Sequence, residues 1–161
     1  MITTEEQIGK LLISKGLKIS VTESCTGGLL SSKLTDVSGS SAYITLNLTT
    51  YSNEAKMKML KVPSDVLEKY GAVSEECAYN MAKGLYLLTK SDICVSTTGI
   101  AGPAGGTPEK PVGLMYSTIY TENLHKTYKI LLNPNLPRIK MKIDFAEEVL
   151  KNIYEFLNDN F

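Results

Sequence analysis

The chain has 161 residues, 43% hydrophobic and 21% charged, the balance of a soluble globular protein able to build its own core. Equal numbers of basic and acidic residues cancel to zero net charge, which argues against nucleic acid as an electrostatic partner, and no apolar run approaches membrane-spanning length. One histidine, His125, and three scattered cysteines, Cys25, Cys77 and Cys94, leave little material for His-based catalysis, a metal site or a disulfide framework. The expectation is a single domain over residues 1–161, cytoplasmic and reduced, with neither metal nor cofactor. The stretch from Met1 to Lys10 carries two glutamates and no signal-like apolar core.

In chain order, Thr3 to Lys15 reads as an amphipathic helix with Ile8, Leu11 and Leu12 on one face. Leu17 to Val21 is a buried-type strand, and a helix is predicted from Ser24 to Leu34. Gly39-Ser40-Ser41 breaks the pattern before a β-branched and aromatic run, Tyr43 to Tyr51, that predicts a strand. Ser52 caps a short helix over Asn53 to Leu60, and Ser64 to Tyr70 forms another. Ser74 caps a longer helix whose core face is Ala78, Met81, Ala82, Leu85 and Leu88. Ile93 to Thr97 is a short apolar strand, and Gly99 to Gly113 is a loop with five glycines and three prolines. Leu114 to Tyr120 and Thr127 to Leu132 are predicted as a hairpin. A terminal helix follows Pro137 to about Asn158, with Ile143, Ala146, Val149, Leu150, Ile153 and Phe156 facing inward. Helices interleaved with strands predict an α/β fold, three-layer α/β/α, on a mixed, mostly parallel sheet.

Three segments carry chemistry. Thr22-Glu23-Ser24-Cys25-Thr26-Gly27-Gly28 follows a strand and can aim backbone N–H groups and hydroxyls at a polar or anionic ligand. Taken alone, it reads as an ordinary helix start with Ser24 or Thr26 as N-cap. Thr50-Tyr51-Ser52-Asn53-Glu54-Ala55-Lys56 runs from strand into helix, and Lys56 lies on the same helical side as Met59 and Leu60. Burial of Lys56 would disfavour its ammonium and make a general base, so with no His to spare a Ser–Lys pair is the available hydrolytic chemistry. Lys58 and Lys61 read as solvated charges. The glycines of the 99–113 loop permit close approach of backbone to a ligand, and Lys110 is placed to meet a phosphate. It is neither a Walker loop nor a dinucleotide fingerprint. Open α/β sheets collect ligands beyond the carboxyl ends of parallel strands, so the Ser24 and Gly99 loops are expected on one rim.

These blocks, with Gly-Ser-Ser-Ala at 39–42 and Gly-Ala-Val-Ser-Glu at 71–75, resemble the CinA C-terminal domain family, in order and over most of the chain. The chain looks like the stand-alone form, without the molybdopterin-binding-like domain of longer relatives. Active members are nicotinamide mononucleotide amidohydrolases, so the resemblance implies hydrolysis of nicotinamide mononucleotide to nicotinic acid mononucleotide and ammonia by an unusual Ser–Lys arrangement. Lys56 is the implied base; Ser41, favoured by the resemblance, and Ser24, favoured by geometry, compete as nucleophile. A straight strand from Tyr43 to Tyr51 would span about 30 Å and separate Ser41 from Lys56. Ser41 then serves only if the segment bends or starts late, or if a neighbouring subunit supplies one partner. Tyr51, Asn53 and Thr98 match the blocks and would orient the carboxamide or ribose; Thr26, Gly27, Gly28, Gly99, Gly105 and Gly106 complete the expected substrate site.

Arginine occurs once, at Arg138, and is the candidate to polarise the carboxamide oxygen. Two blocks depart from the family: its Gly-Asp-Arg-like loop is replaced by Asn133-Pro134-Asn135-Leu136-Pro137-Arg138, and its Gly-rich second strand by Leu46-Asn47-Leu48-Thr49. A second expectation is therefore a degenerate member that binds a nucleotide or protein partner without turnover. A homodimer is the default assembly.

Overall fold

The computed structural model describes residues 1–161. The elements are α1 (Thr4–Lys15), β1 (Ile19–Glu23), α2 (Leu29–Thr35), a 3-10 turn (Ser40–Ala42), β2 (Ile44–Thr49), α3 (Asn53–Leu60), α4 (Ser64–Tyr70), α5 (Glu75–Thr89), β3 (Ile93–Gly99), β4 (Leu114–Tyr120), β5 (His125–Leu131) and α6 (Arg138–Asn160). The sheet order is β2-β1-β3-β4-β5. β1 pairs in parallel with both β2 and β3, whereas β4 runs antiparallel between β3 and β5. Four of the five strands therefore point one way, and the fold is the expected three-layer α/β/α on a mixed sheet.

Strand alternation sorts β1 between the two faces. Ile19 and Val21 enter the larger core, with Ile8, Leu12, Phe145, Val149 and Ile153 from α1 and α6. Ser20 and Thr22 face the other way, where Leu60, Cys77, Met81 and Leu85 of α3 and α5 pack in a smaller cluster. Hydroxyls on that face are satisfied internally: Ser20 bonds Ser91 at 2.8 Å, and Ser96 of β3 donates to the Ala78 carbonyl at 2.6 Å.

The largest departure from the predicted elements is at the start of α2. The helix begins at Leu29, so Ser24 to Gly28 form an open turn, and neither Ser24 nor Thr26 is the N-cap. Glu23 performs that task from the end of β1, accepting from Leu30 N at 2.8 Å and Ser31 N at 3.0 Å. Gly27 and Gly28 take φ of +61° and +101°, which suits glycine. β1 accordingly extends to Glu23, β2 stops at Thr49, and β3 runs two residues past Thr97. Leu88 and Ile143, predicted inward, are exposed because each lies at the margin of its helix's apolar face.

Gly84 lets α3 and α5 meet. A Cβ there would lie 1.9 Å from the Leu60 carbonyl oxygen, a backbone atom that cannot rotate away. An alanine in mid-helix normally gains about 1 kcal/mol over glycine. Here we expect Gly84→Ala to destabilise by about 1–3 kcal/mol, measured by urea unfolding; a gain in stability would show that α3 does not pack this closely.

Candidate active site

β1 and β2 end in register, Glu23 opposite Thr49, and Thr22 lies opposite Ser96. Ser24 and Thr50 therefore leave the sheet at one rim beside Thr97, which stays in β3 opposite Ser117 of β4. β2 then turns back: Ser52 caps α3 by accepting from Ala55 N at 3.0 Å, and this first turn brings Lys56 under the rim. Lys56 is 1% exposed. Its Nζ lies 3.0 Å from the Thr50 carbonyl, 2.9 Å from the Tyr51 carbonyl and 3.1 Å from Ser24 Oγ.

No carboxylate pairs with this amine; the two ion pairs of the chain are Lys33–Glu147 and Lys140–Asp144. Burial lowers the Lys56 pKa from its ordinary value, opposed by any negative charge on Cys77 and Cys25. Those thiols are themselves pushed up by burial, Cys77 to about 11 and Cys25 to about 12, so near neutral pH they carry no charge that could hold the ammonium. The same burial removes Cys25 as a nucleophile although it adjoins Ser24. Lys56 Nζ donates to both carbonyls and to Ser24 Oγ, and Ser24 Oγ in turn donates to the Tyr51 carbonyl at 3.4 Å. Loss of a proton from the amine would free a lone pair facing the Ser24 hydroxyl.

Neighbouring hydroxyls hold the turn. Thr26 and Thr97 bond each other at 2.9 Å, and Ser24 N donates to Thr97 Oγ1 at 3.4 Å. Thr22 and Thr50 bond at 2.8 Å beneath them. At the mouth, Arg138 Nη2 donates to the Tyr51 hydroxyl at 3.1 Å and Nη1 to the Gly102 carbonyl at 2.6 Å. The sole arginine thus joins the start of α6, the end of β2 and the glycine-rich loop. Tyr51 is 58% exposed, its carbonyl turned to Lys56 and its phenol to Arg138.

Ser24, Tyr51, Lys56 and Arg138 are therefore linked through direct contacts, with Thr26 and Gly27 on the adjoining turn. Ser41 is not among them: it is exposed in the 3-10 turn before β2, and the six residues of β2, roughly 20 Å of strand, separate it from the rim. Asn53 is exposed on the first turn of α3. Thr98 donates to the Ala72 carbonyl at 2.7 Å, tying β3 to the segment before α5. At Gly99 a Cβ would lie 2.7 Å from the Leu114 carbonyl, so closeness to β4 requires the glycine. Gly105 and Gly106 line a groove of about 530 Å³ with Pro134, on a flank of the loop. Lys110 donates to the Tyr70 carbonyl, which anchors that loop. Sequence reading overlooked Thr50, Thr97 and Glu23; a polar end on an apolar strand was the available signal, but only the strand register selects Thr97 over Thr98.

A sequence profile of the CinA C-terminal domain matches residues 1–157. The chain belongs to the CinA C-terminal domain family. A competence-damage inducible protein of Clostridium novyi is 50% identical over 139 residues, 86% of this chain and 34% of that relative. A CinA-like protein of Chloroherpeton thalassium is 47% identical over 156 residues, 96% of this chain and 37% of the relative. This CinA domain therefore spans about a third of the length of the curated relatives it matches. The crystal structure of competence/damage inducible protein CihA from Agrobacterium tumefaciens superposes with a TM-score of 0.89 at 34% identity, covering 97% of this chain and 96% of that one.

Burial of Lys56 has a pH signature in the CinA domain. Its folded pKa lies below the unfolded value, so the unfolded state binds more protons between the two, and stability rises with pH across that window. The cost of a buried ammonium is full below the folded pKa and is relieved as pH approaches 10.5. In urea unfolding across that window, the stability difference between wild type and Lys56→Met should move in favour of wild type as pH rises. A difference that is constant or moves the other way contradicts the assignment.

Proposed function

We propose that the chain is an amidohydrolase that converts nicotinamide mononucleotide to nicotinic acid mononucleotide and ammonia. The observation that carries the reading is the 3.1 Å contact between Lys56 Nζ and Ser24 Oγ, buried and without a carboxylate partner. The choice of substrate rests on the resemblance of the five sequence blocks. Lys56 takes the Ser24 proton as Ser24 Oγ attacks the carboxamide carbon, then returns it to the departing nitrogen, which leaves as ammonia. The acyl-serine is hydrolysed by a water that Lys56 deprotonates in the same way. Arg138 retains N–H groups beyond its two bonds and is the donor for the carboxamide oxygen, steadied by Tyr51 and Gly102. Thr26, Gly27, Gly28, Asn53, Thr98, Gly99, Gly105 and Gly106 form the surround in which the nucleotide is held. The setting is cytoplasmic and the assembly a homodimer.

Ser41 reaches Lys56 in this reading only from a second copy of the chain, since β2 separates them within one. Binding without turnover is the second reading, favoured by the replaced blocks at 46–49 and 133–138. Ammonia release from nicotinamide mononucleotide tests both. Ser24→Ala and Lys56→Met should each lower kcat by about 10³ or more, with the nucleotide's thermal shift retained, and Ser41→Ala should stay within a few-fold of wild type. Loss of turnover in Ser41→Ala alone assigns the nucleophile to a neighbouring copy. A wild-type thermal shift without ammonia selects the binding role.

A further inference from the structure

The amidase reading leaves one cation at the site unused. Lys142 lies one helical turn beyond Arg138 on α6, half-buried, on the same face. Its Nζ is 3.4 Å, and its Cε 3.8 Å, from the point a Cβ on Gly27 would occupy. The ammonium therefore rests over bare backbone in the turn that carries Ser24. That turn is closed by Gly27 N donating to the Ser24 carbonyl at 3.0 Å, so the two α-carbons are within about 7 Å of each other.

Nothing acidic neutralises Lys142. The positions three and four residues away on α6 are Arg138, Ile139, Phe145 and Ala146. The nearby acids are committed elsewhere, Asp144 to Lys140 and Glu147 to Lys33. Glu23 is turned under α2, where Leu30 N, Ser31 N and the Ser31 hydroxyl bind its oxygens at 2.6 to 3.0 Å. Arg138 contacts only a carbonyl and a phenol, both neutral. A chain with no net charge thus gathers two uncompensated cations on one helix face, beside the proposed nucleophile.

We propose that Lys142 binds the phosphate of the substrate and makes the site selective for a phosphorylated nucleoside over the uncharged one. The inference rests on the Ser24–Lys56 amidase reading: the carboxamide lies at Ser24, the phosphate at Lys142, and the ribose between them over Gly27. Lysine suits this task as a compact point charge, and the absent side chain at Gly27 lets the anion approach both ammonium and backbone.

The test compares kcat/KM for nicotinamide mononucleotide and nicotinamide riboside in wild type, Lys142→Met and Lys142→Arg. Calorimetric titration with ribose 5-phosphate and ribose is run on the same proteins. Lys142→Met should lower the preference for the mononucleotide about 10- to 100-fold and weaken ribose 5-phosphate binding by a similar factor, and Lys142→Arg should recover most of both. Equal loss on mononucleotide and riboside, or ribose 5-phosphate binding untouched by Lys142→Met, overturns the phosphate role. No ammonia from any substrate, with ribose 5-phosphate binding still dependent on Lys142, overturns the amidase reading and leaves the phosphate subsite standing. Circular dichroism of Lys142→Met checks that the fold is intact.

Discussion

The rest of the structure is arranged around a lysine amine held out of water with no acid to neutralise it. Lys56 Nζ meets two backbone carbonyls and one hydroxyl, and the two thiols near it are uncharged near neutral pH. An ammonium in that position loses its hydration and recovers only partial charges in return. Burial therefore lowers the proton affinity of the amine, and a proton lost from it would free a lone pair facing the Ser24 hydroxyl. That single constraint separates Lys56 from the exposed Lys58 of the same helix and from Lys61 at its C-cap, and in the proposed reaction it gives the Ser24 hydroxyl a base.

Holding the amine there requires the sheet, both helix layers and one glycine. The carbonyls come from the end of β2, the hydroxyl from the end of β1, and the lysine from the first turn of α3. Parallel pairing of β1 with β2 and β3 sets the ends of β1 and β2 at one level beside Thr97 of β3. Glu23 caps α2 from the strand, which releases Ser24 to Gly28 from helical geometry. Gly84 admits the Leu60 carbonyl, so α3 can seat against α5 with Lys56 beneath the rim. The site is thus a product of tertiary packing more than of any one motif.

Periodicity was sufficient for most of the layers. The faces of α1 and α6 that carry Ile8, Leu12, Val149 and Ile153 pack as their spacing predicts, and the helices at Ser52 and Ser74 start at their caps. What failed was local and had long-range causes. The cap of α2 comes from a carboxylate in the preceding strand, a contact that capping rules based on Ser, Thr, Asn or Asp do not contain. Within the site, the pairing of Ser24 with Lys56 follows from the strands being parallel, which hydrophobic pattern suggests and only register establishes. Thr98 donates to the Ala72 carbonyl, whereas its neighbour Thr97 holds Thr26 and Ser24, a division that only the strand register sets. Gly99 and Gly106 owe their identity to close approach of Leu114 and Val112, a reason that no spacing argument distinguishes from ligand contact.

The central claim is that Lys56 is a base because it is buried and unpaired. Selective detection of the Lys56 side chain by heteronuclear NMR through a pH titration, assigned by its loss in Lys56→Met, tests it most directly. The account predicts that Lys56 titrates below the ordinary lysine value of 10.5. Titration at or above that value would contradict it.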